Sequence, residues 1–501
     1  MNTTTSQNSV QKVVIAGGGT AGWMAAAAMG KLIGKNLDIT LVESDAIGTV
    51  GVGEATIPTL HVFHRLLGIR TNELVKATNA TFKLAISFEG WRDIGENYVH
   101  SFGHIGQDCW AAGFQHFWLK GKQKGFSVDE IGDYCAEHLG SRQNKFAITP
   151  KQEYNHAYHL DASLYAKFLR NFAEKHGVKR KEGKIDKVNV NPESGFIDSL
   201  TLGDGSVIEG DLFIDCTGFR GLLIEEALHT GFDDWSHWLP NDRAVAMQTA
   251  NVGEPVPYTR SIARSAGWQW RIPLQSRTGN GYVFSSKHMS EDEATQLLIN
   301  NVEGEALTDP RIIKFKTGTR RQHWNKNCVA IGLSSGFIEP LESTSIHLIQ
   351  RNITRLIQNF PSGGIHQVDI DQFNNQTMFE IDNIRDFIIL HYKVTNRRDS
   401  SYWNYLRNMS IPDSLAHRID LFKRTGKVFK QLDELFGDSS WLQVMMGQGL
   451  EAESYHPIVD MMDDNELQAF LDGIHMSVRK KVDALPTHND FIQRYCKSDV
   501  A

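Results

Sequence analysis

Six residues near the start of the chain, Gly17-Gly18-Gly19-Thr20-Ala21-Gly22, limit the fold more than any other feature. They form a G-x-G-x-x-G motif between an apolar run at residues 11–16 (QKVVIA) and an Ala- and Met-rich run from Trp23. The first run reads as a short buried strand and the second as a helix. Each glycine then has a reason: a tight turn, close approach of backbone to a pyrophosphate, and packing of helix on strand. The helix start adds N–H groups and a positive dipole end for phosphate. Glu43 closes the next apolar run, residues 37–43 (LDITLVE), where an acid binds a ribose hydroxyl. No arginine stands beside it on that strand end, which favours FAD or NAD over NADP. Gly17, Gly19, Thr20, Ala21, Gly22 and Glu43 are therefore the expected cofactor-binding residues.

Further nucleotide-fold elements lie far along the chain. Residues 211–215 form an apolar strand that ends in Cys216-Thr217-Gly218, and residues 328–333 (CVAIGL) form another before a helical stretch from about Ser343. Together with the glycine motif these look like the three signatures of FAD-dependent monooxygenases, in the same order. Alternation at residues 82–88, 184–190 and 282–286 predicts added, antiparallel strands. From residue 369 the chain turns to long amphipathic helices. The expected division is 11–368, an FAD-binding module with an inserted substrate-side sheet, and 369–501, a helical substrate-binding region.

With 501 residues and a net charge of -7, the chain offers no basic field for nucleic acid or anionic lipid. Five dispersed cysteines without a C-x-x-C argue for a reducing compartment. Residues 1–10 lack the basic start and apolar core of a signal peptide. A cytoplasmic protein is expected. His61 with His64 and His156 with His159 have the spacing of metal ligands but no Cys or carboxylate company, so no metal site is expected.

The segment Trp268-Gln269-Trp270-Arg271-Ile272-Pro273 places two indoles on one face of a strand, an aromatic wall ending at proline. This W-x-W-x-I-P, with GGGTAGW (17–23), VGVGEATIP (50–58), NATFKLAISFEGW (79–91) and GFIEPLESTSIHL (336–348), resembles the flavin-dependent halogenase family over most of the chain. The resemblance implies an α/β fold with a Rossmann-type FAD module and adds Ile185, Leu333 and Ile346 to the cofactor residues. It also implies an FADH2-dependent halogenation, in which oxygen and halide give hypohalous acid that travels through a tunnel to a lysine. That lysine is Lys83. By pattern alone Lys83 falls on the polar face of an alternating strand, whereas the family match makes it catalytic, by hydrogen bond or as a haloamine. Glu342 matches the second essential residue, a carboxylate that stabilises a cationic arene and takes up its proton; its position alone equally suits a first-turn glutamate of a helix.

In the family the halide site lies at residues matching Thr344 and Ser345, and Ser345 stands where tryptophan halogenases usually have glycine. His100 and Phe102 match positions that hold an indole between aromatic rings, while Trp268 and Trp270 would wall substrate off from the flavin. The stretch 440–447, with Trp441, Met445 and Met446, lacks the adjacent tyrosines that grip an amino acid. A small aromatic substrate, an indole rather than free tryptophan, is expected, with bromide or chloride as halide. No NAD(P)H-binding segment is apparent, so a separate flavin reductase is the expected electron source. A homodimer remains open, and an FAD-dependent aromatic hydroxylase is the alternative activity.

Overall fold

The strand expected at residues 11–16 forms over Lys12–Ala16, in the interior of a six-stranded sheet. The computed structural model describes residues 9–46, 53–149 and 154–498. Val13, Val14, Ile15 and Ala16 are buried on both faces, which explains an unbroken apolar run where a half-exposed strand would alternate. Lys12–Ala16 pairs in parallel with Asp38–Glu43 on one side and Leu212–Asp215 on the other. Cys328–Ala330 and Lys179–Glu182 extend the sheet in parallel at its two flanks, and Trp324–Asn325 closes one edge antiparallel. Strands from positions 12 to 330 thus share one sheet, so the intervening chain leaves it and returns.

Helix Thr20–Leu32 packs on this sheet through Gly22–Gly30, nearly all small residues or methionine. Their short side chains let helix Ala162–Lys175 lie against it. The excursion builds a second, seven-stranded sheet in the order Arg311–Lys314, Arg243–Thr249, Thr278–Phe284, Gly267–Pro273, Tyr258–Arg264, Ala85–Glu89, Asn97–Ser101. All its pairs are antiparallel except Tyr258–Arg264 with Ala85–Glu89. The 27-residue helix Gln367–Lys393 and helix Asp438–Gly447 pack on this sheet, and one apolar core joins Trp268 and Trp270 to Phe387 and Trp441. Among the described residues no helix is long and apolar enough to cross a membrane.

Two sequence expectations change here. The alternating run 82–88 is two strands, Thr81–Lys83 and Ala85–Glu89, which belong to different sheets. Leu84 makes the break: its N–H donates to the Pro257 carbonyl and its carbonyl accepts from Phe102. Lys83 consequently faces no solvent and has 0% exposure, so the polar-face reading is wrong. The helix expected from about Ser343 starts at Ser345, after a 3-10 turn at Pro340–Glu342. Glu342 therefore precedes the helix and is no first-turn residue.

Candidate active site

A cavity of 490 Å³ runs from the glycine turn to the tryptophan strand. Gly17, Gly19, Thr20, Ala21, Glu43, Ile185, Leu333 and Ile346 all line it. Gly22 does not; a Cβ there would stand 1.9 Å from the Gly17 carbonyl oxygen, so its role is close packing. Gly17 turns with φ +107, a conformation that favours glycine. Gly19 caps Thr20–Leu32 with no side-chain bond, and no acid occupies the first turn, so the first N–H groups stay available to an anion. Glu43 sits beneath Gly18 and pairs with Arg180 at 2.5 Å. That arginine lies on the neighbouring strand Lys179–Glu182, which corrects the expectation of an acid without a nearby arginine.

Trp268 and Trp270 share one face of Gly267–Pro273, with ring centroids 6.2 Å apart, and both line the cavity. Pro340, Leu341, Ser343 and Ser345 also line it. Ser343 has φ +60, in the left-handed region, so the loop reverses there and carries Glu342 and Ser343 to one place. Lys83 Nζ donates to Ser343 Oγ at 2.8 Å and to the Thr56 carbonyl at 3.1 Å. Lys83 is thus one hydrogen bond away from a residue of the cavity wall, although it does not line the cavity itself. Its Nζ also stands 5.1 Å from the centre of the Phe102 ring.

Glu342 is likewise fully buried. His100 Nδ1 lies 2.9 Å from its Oε2, and His391 Nε2 lies 2.8 Å from its Oε1. Burial by itself pushes this carboxyl up, but the two histidines outweigh burial and hold it down at about 2. Burial lowers the Lys83 pKa to about 7, with the attraction of Glu342 offsetting part of the effect. The site therefore sets a fixed carboxylate beside a lysine that is partly neutral at pH 7. Thr344 is buried at the start of helix Ser345–Gln358, and its hydroxyl has no hydrogen-bond partner among the described residues. The sequence reading missed His391, Ser343 and Thr56. His391 lies 308 positions from Lys83 in the chain, and nothing in its local pattern marks it.

Trp441, on helix Asp438–Gly447, is buried edge-on to Phe387 at 4.9 Å. Phe387 also faces His100 at 5.6 Å and stacks on Phe436 at 3.9 Å. The structure thus brings His100, Trp441 and Phe387 to the Glu342 side of the loop, with Phe102 over Lys83. Residues 50–52 of the VGVGEATIP segment lie outside the described residues.

A model of the tryptophan halogenase family matches residues 12–464. The chain belongs to the tryptophan halogenase family. It is 35% identical to the tryptophan 6-halogenase of Streptomyces toxytricini, covering 96% of this chain and 97% of that protein. Among solved structures it is similar to a flavin-dependent halogenase from Xanthomonas campestris (55% identity, TM-score 0.97, 99% of this chain and 100% of the other). A flavin-dependent halogenase from Brevundimonas sp. BAL3 is also similar (45%, TM-score 0.93, 97% and 99%). The halogenase accordingly has the Rossmann-type FAD module of its family, with FAD and halide as the family's cofactor and co-substrate. The residues present fit FAD: uncapped N–H groups for a diphosphate, a carboxylate for a ribose, and an apolar, tryptophan-lined end for a ring system.

Proposed function

We propose that the halogenase moves halogen from the FAD cavity to Lys83 and there onto an electron-rich arene of the indole class. Bound as FADH2, the cofactor supplies the two electrons that, with oxygen, convert halide to hypohalous acid. One observation carries the reading: Ser343 lines the cavity while its hydroxyl accepts from the buried Lys83. In the neutral amine both N–H groups are taken by Thr56 and Ser343, which leaves the lone pair for the oxidant. In the ammonium the third N–H is free to hold hypohalous acid. Glu342, kept ionised by its histidines, stabilises positive charge on the arene and accepts the proton it loses. Thr344 and Ser345 supply the halide site, where an unpartnered hydroxyl and a helix start meet. Residues 11–368 hold the cofactor and the inserted substrate-side sheet with His100 and Phe102, and residues 369–501 add Phe387, Phe436 and Trp441 to the substrate wall. The reducing equivalents come from a separate flavin reductase.

The Streptomyces relative is named for tryptophan. Around Trp441 this chain presents the buried Leu442, Val444 and Met445 and no tyrosine pair. Arg418, whose guanidinium lies 4.5 Å from the centre of the Trp441 ring, pairs with Glu434, so neither is spare for a zwitterion. Free indole should therefore outcompete tryptophan, and bromide, larger and easier to oxidise, should serve at least as well as chloride at Ser345. Equal amounts of indole and tryptophan, supplied together in each halide and read by mass spectrometry, check both. A preference for tryptophan would refute the substrate claim, and faster chlorination than bromination would refute the halide claim.

A further inference from the structure

Glu339 is a carboxylate with no solvent exposure and no part in the chemistry assigned to Lys83 and Glu342. Its Oε2 accepts three hydrogen bonds: from Trp268 Nε1 at 3.0 Å, from the Tyr392 hydroxyl at 2.6 Å and from Asn241 Nδ2 at 2.9 Å. Its Oε1 is buried without a partner among the described residues. Leaving a buried polar atom unpaired is unfavourable, and an apolar side chain of similar volume would avoid it. The three converging donors give the carboxyl its purpose.

They come from separate parts of the fold. Trp268 belongs to strand Gly267–Pro273 and lines the FAD cavity. Tyr392 is on helix Gln367–Lys393, next to His391, which touches Glu342. Asn241 precedes strand Arg243–Thr249. Glu339 itself begins the run that continues through Pro340 and Leu341 to Glu342 and Ser343. A single oxygen therefore ties the aromatic wall, the substrate-side helix and the catalytic loop together. Burial raises the Glu339 pKa while the three donors lower it, and a glutamine amide keeps an accepting oxygen in a side chain of the same shape.

We propose that Glu339 is a positioning residue that fixes the wall between the FAD cavity and the Lys83–Glu342 pair, and so sets how much oxidant ends in halogenated product. The inference rests on the halogenation reading given above. One FADH2, one oxygen molecule, one halide and one proton give FAD, hypohalous acid and water; the arene then exchanges hydrogen for halogen and releases a second water. Where halide oxidation fails, the same two electrons reduce oxygen to hydrogen peroxide; where hypohalous acid forms but misses Lys83, it is lost to solvent. Free FADH2 is also oxidised by oxygen, so product per FADH2 reads the route when it is measured in a single turnover with FAD-binding sites in excess over FADH2.

The test measures that ratio, with peroxide, released hypohalous acid and FAD binding, for the native protein and for Glu339→Leu, Glu339→Gln and Tyr392→Phe, using indole and bromide. Glu339→Leu should bind FAD yet give about tenfold less product per FADH2, with peroxide and released hypohalous acid together making up the difference, since small displacements at such sites cost this much or more. Glu339→Gln should stay within about twofold of the native ratio, because it keeps the accepting oxygen. A native ratio in Glu339→Leu, or a Gln variant as uncoupled as the Leu variant, overturns the proposal. If Glu339→Leu does not fold, Tyr392→Phe decides: it should lower the ratio about threefold by removing one donor, and an unchanged ratio is a refutation. Lys83→Ala serves as the reference. A native protein that forms no brominated indole overturns the halogenation reading, and the inference with it.

Discussion

Lys83 lies wholly out of solvent, and its two hydrogen bonds replace only part of the hydration it gives up. Its pKa falls from 10.5 to about 7, so between those values the unfolded chain holds a proton that the native chain has released. Stability then rises with pH across that window, and the full penalty, on the order of 4–5 kcal/mol, applies below it. Lys83→Met should accordingly unfold at a higher temperature than the native protein at pH 6, with the gain shrinking towards pH 10. Calorimetry at several pH values checks this; an unchanged or lower melting temperature at pH 6 would contradict it. Glu342 is the opposite case, a carboxyl kept low at about 2 because two histidines outweigh its burial. Removing His391 lets burial push it up, so the base is protonated at higher pH. His391→Phe should shift the acid limb of the pH–rate profile upwards, and Glu342→Gln should lower turnover by about 10²–10⁴-fold. A profile that does not move in His391→Phe would separate that histidine from the base.

Among the elements, the glycine turn and its helix carry the cofactor claim. A Cβ at Gly17 would lie 2.3 Å from the Cys216 carbonyl oxygen, and φ +107 is strained for any other residue. Gly17→Ala should weaken FAD binding by about tenfold or more, given the 1–3 kcal/mol such backbone strain represents. Titration with FAD measures it, and native affinity would contradict the assigned turn. These elements were legible because a buried strand, a glycine turn and a small-residue helix each leave a local pattern. The run at 82–88 was not, because its alternation belongs to two short strands in two sheets, both buried. Arg180 beside Glu43 was invisible for a similar reason: it arrives 137 residues later, by a strand order that no local spacing encodes. His391 and Glu339 escaped notice because their importance comes from what they touch across the fold.

Taken as a whole molecule, the halogenase is an FAD cavity and a buried lysine–carboxylate pair separated by one loop, with electrons arriving from another protein. Fold and proposed catalytic pair came from motifs shared with a family, whereas the proposed preference for indole came from the tyrosine-free stretch around Trp441, which the structure shows as an apolar helix. The central claim is that halogen reaches the substrate through Lys83. The most direct measurement compares native protein and Lys83→Ala, with indole, bromide, FAD and NADH, in the presence and absence of a flavin reductase. The account predicts brominated indole only from the native protein with reductase present, while Lys83→Ala binds FAD normally and forms none. Full bromination by Lys83→Ala, or bromination by the native protein with NADH and no reductase, would contradict it.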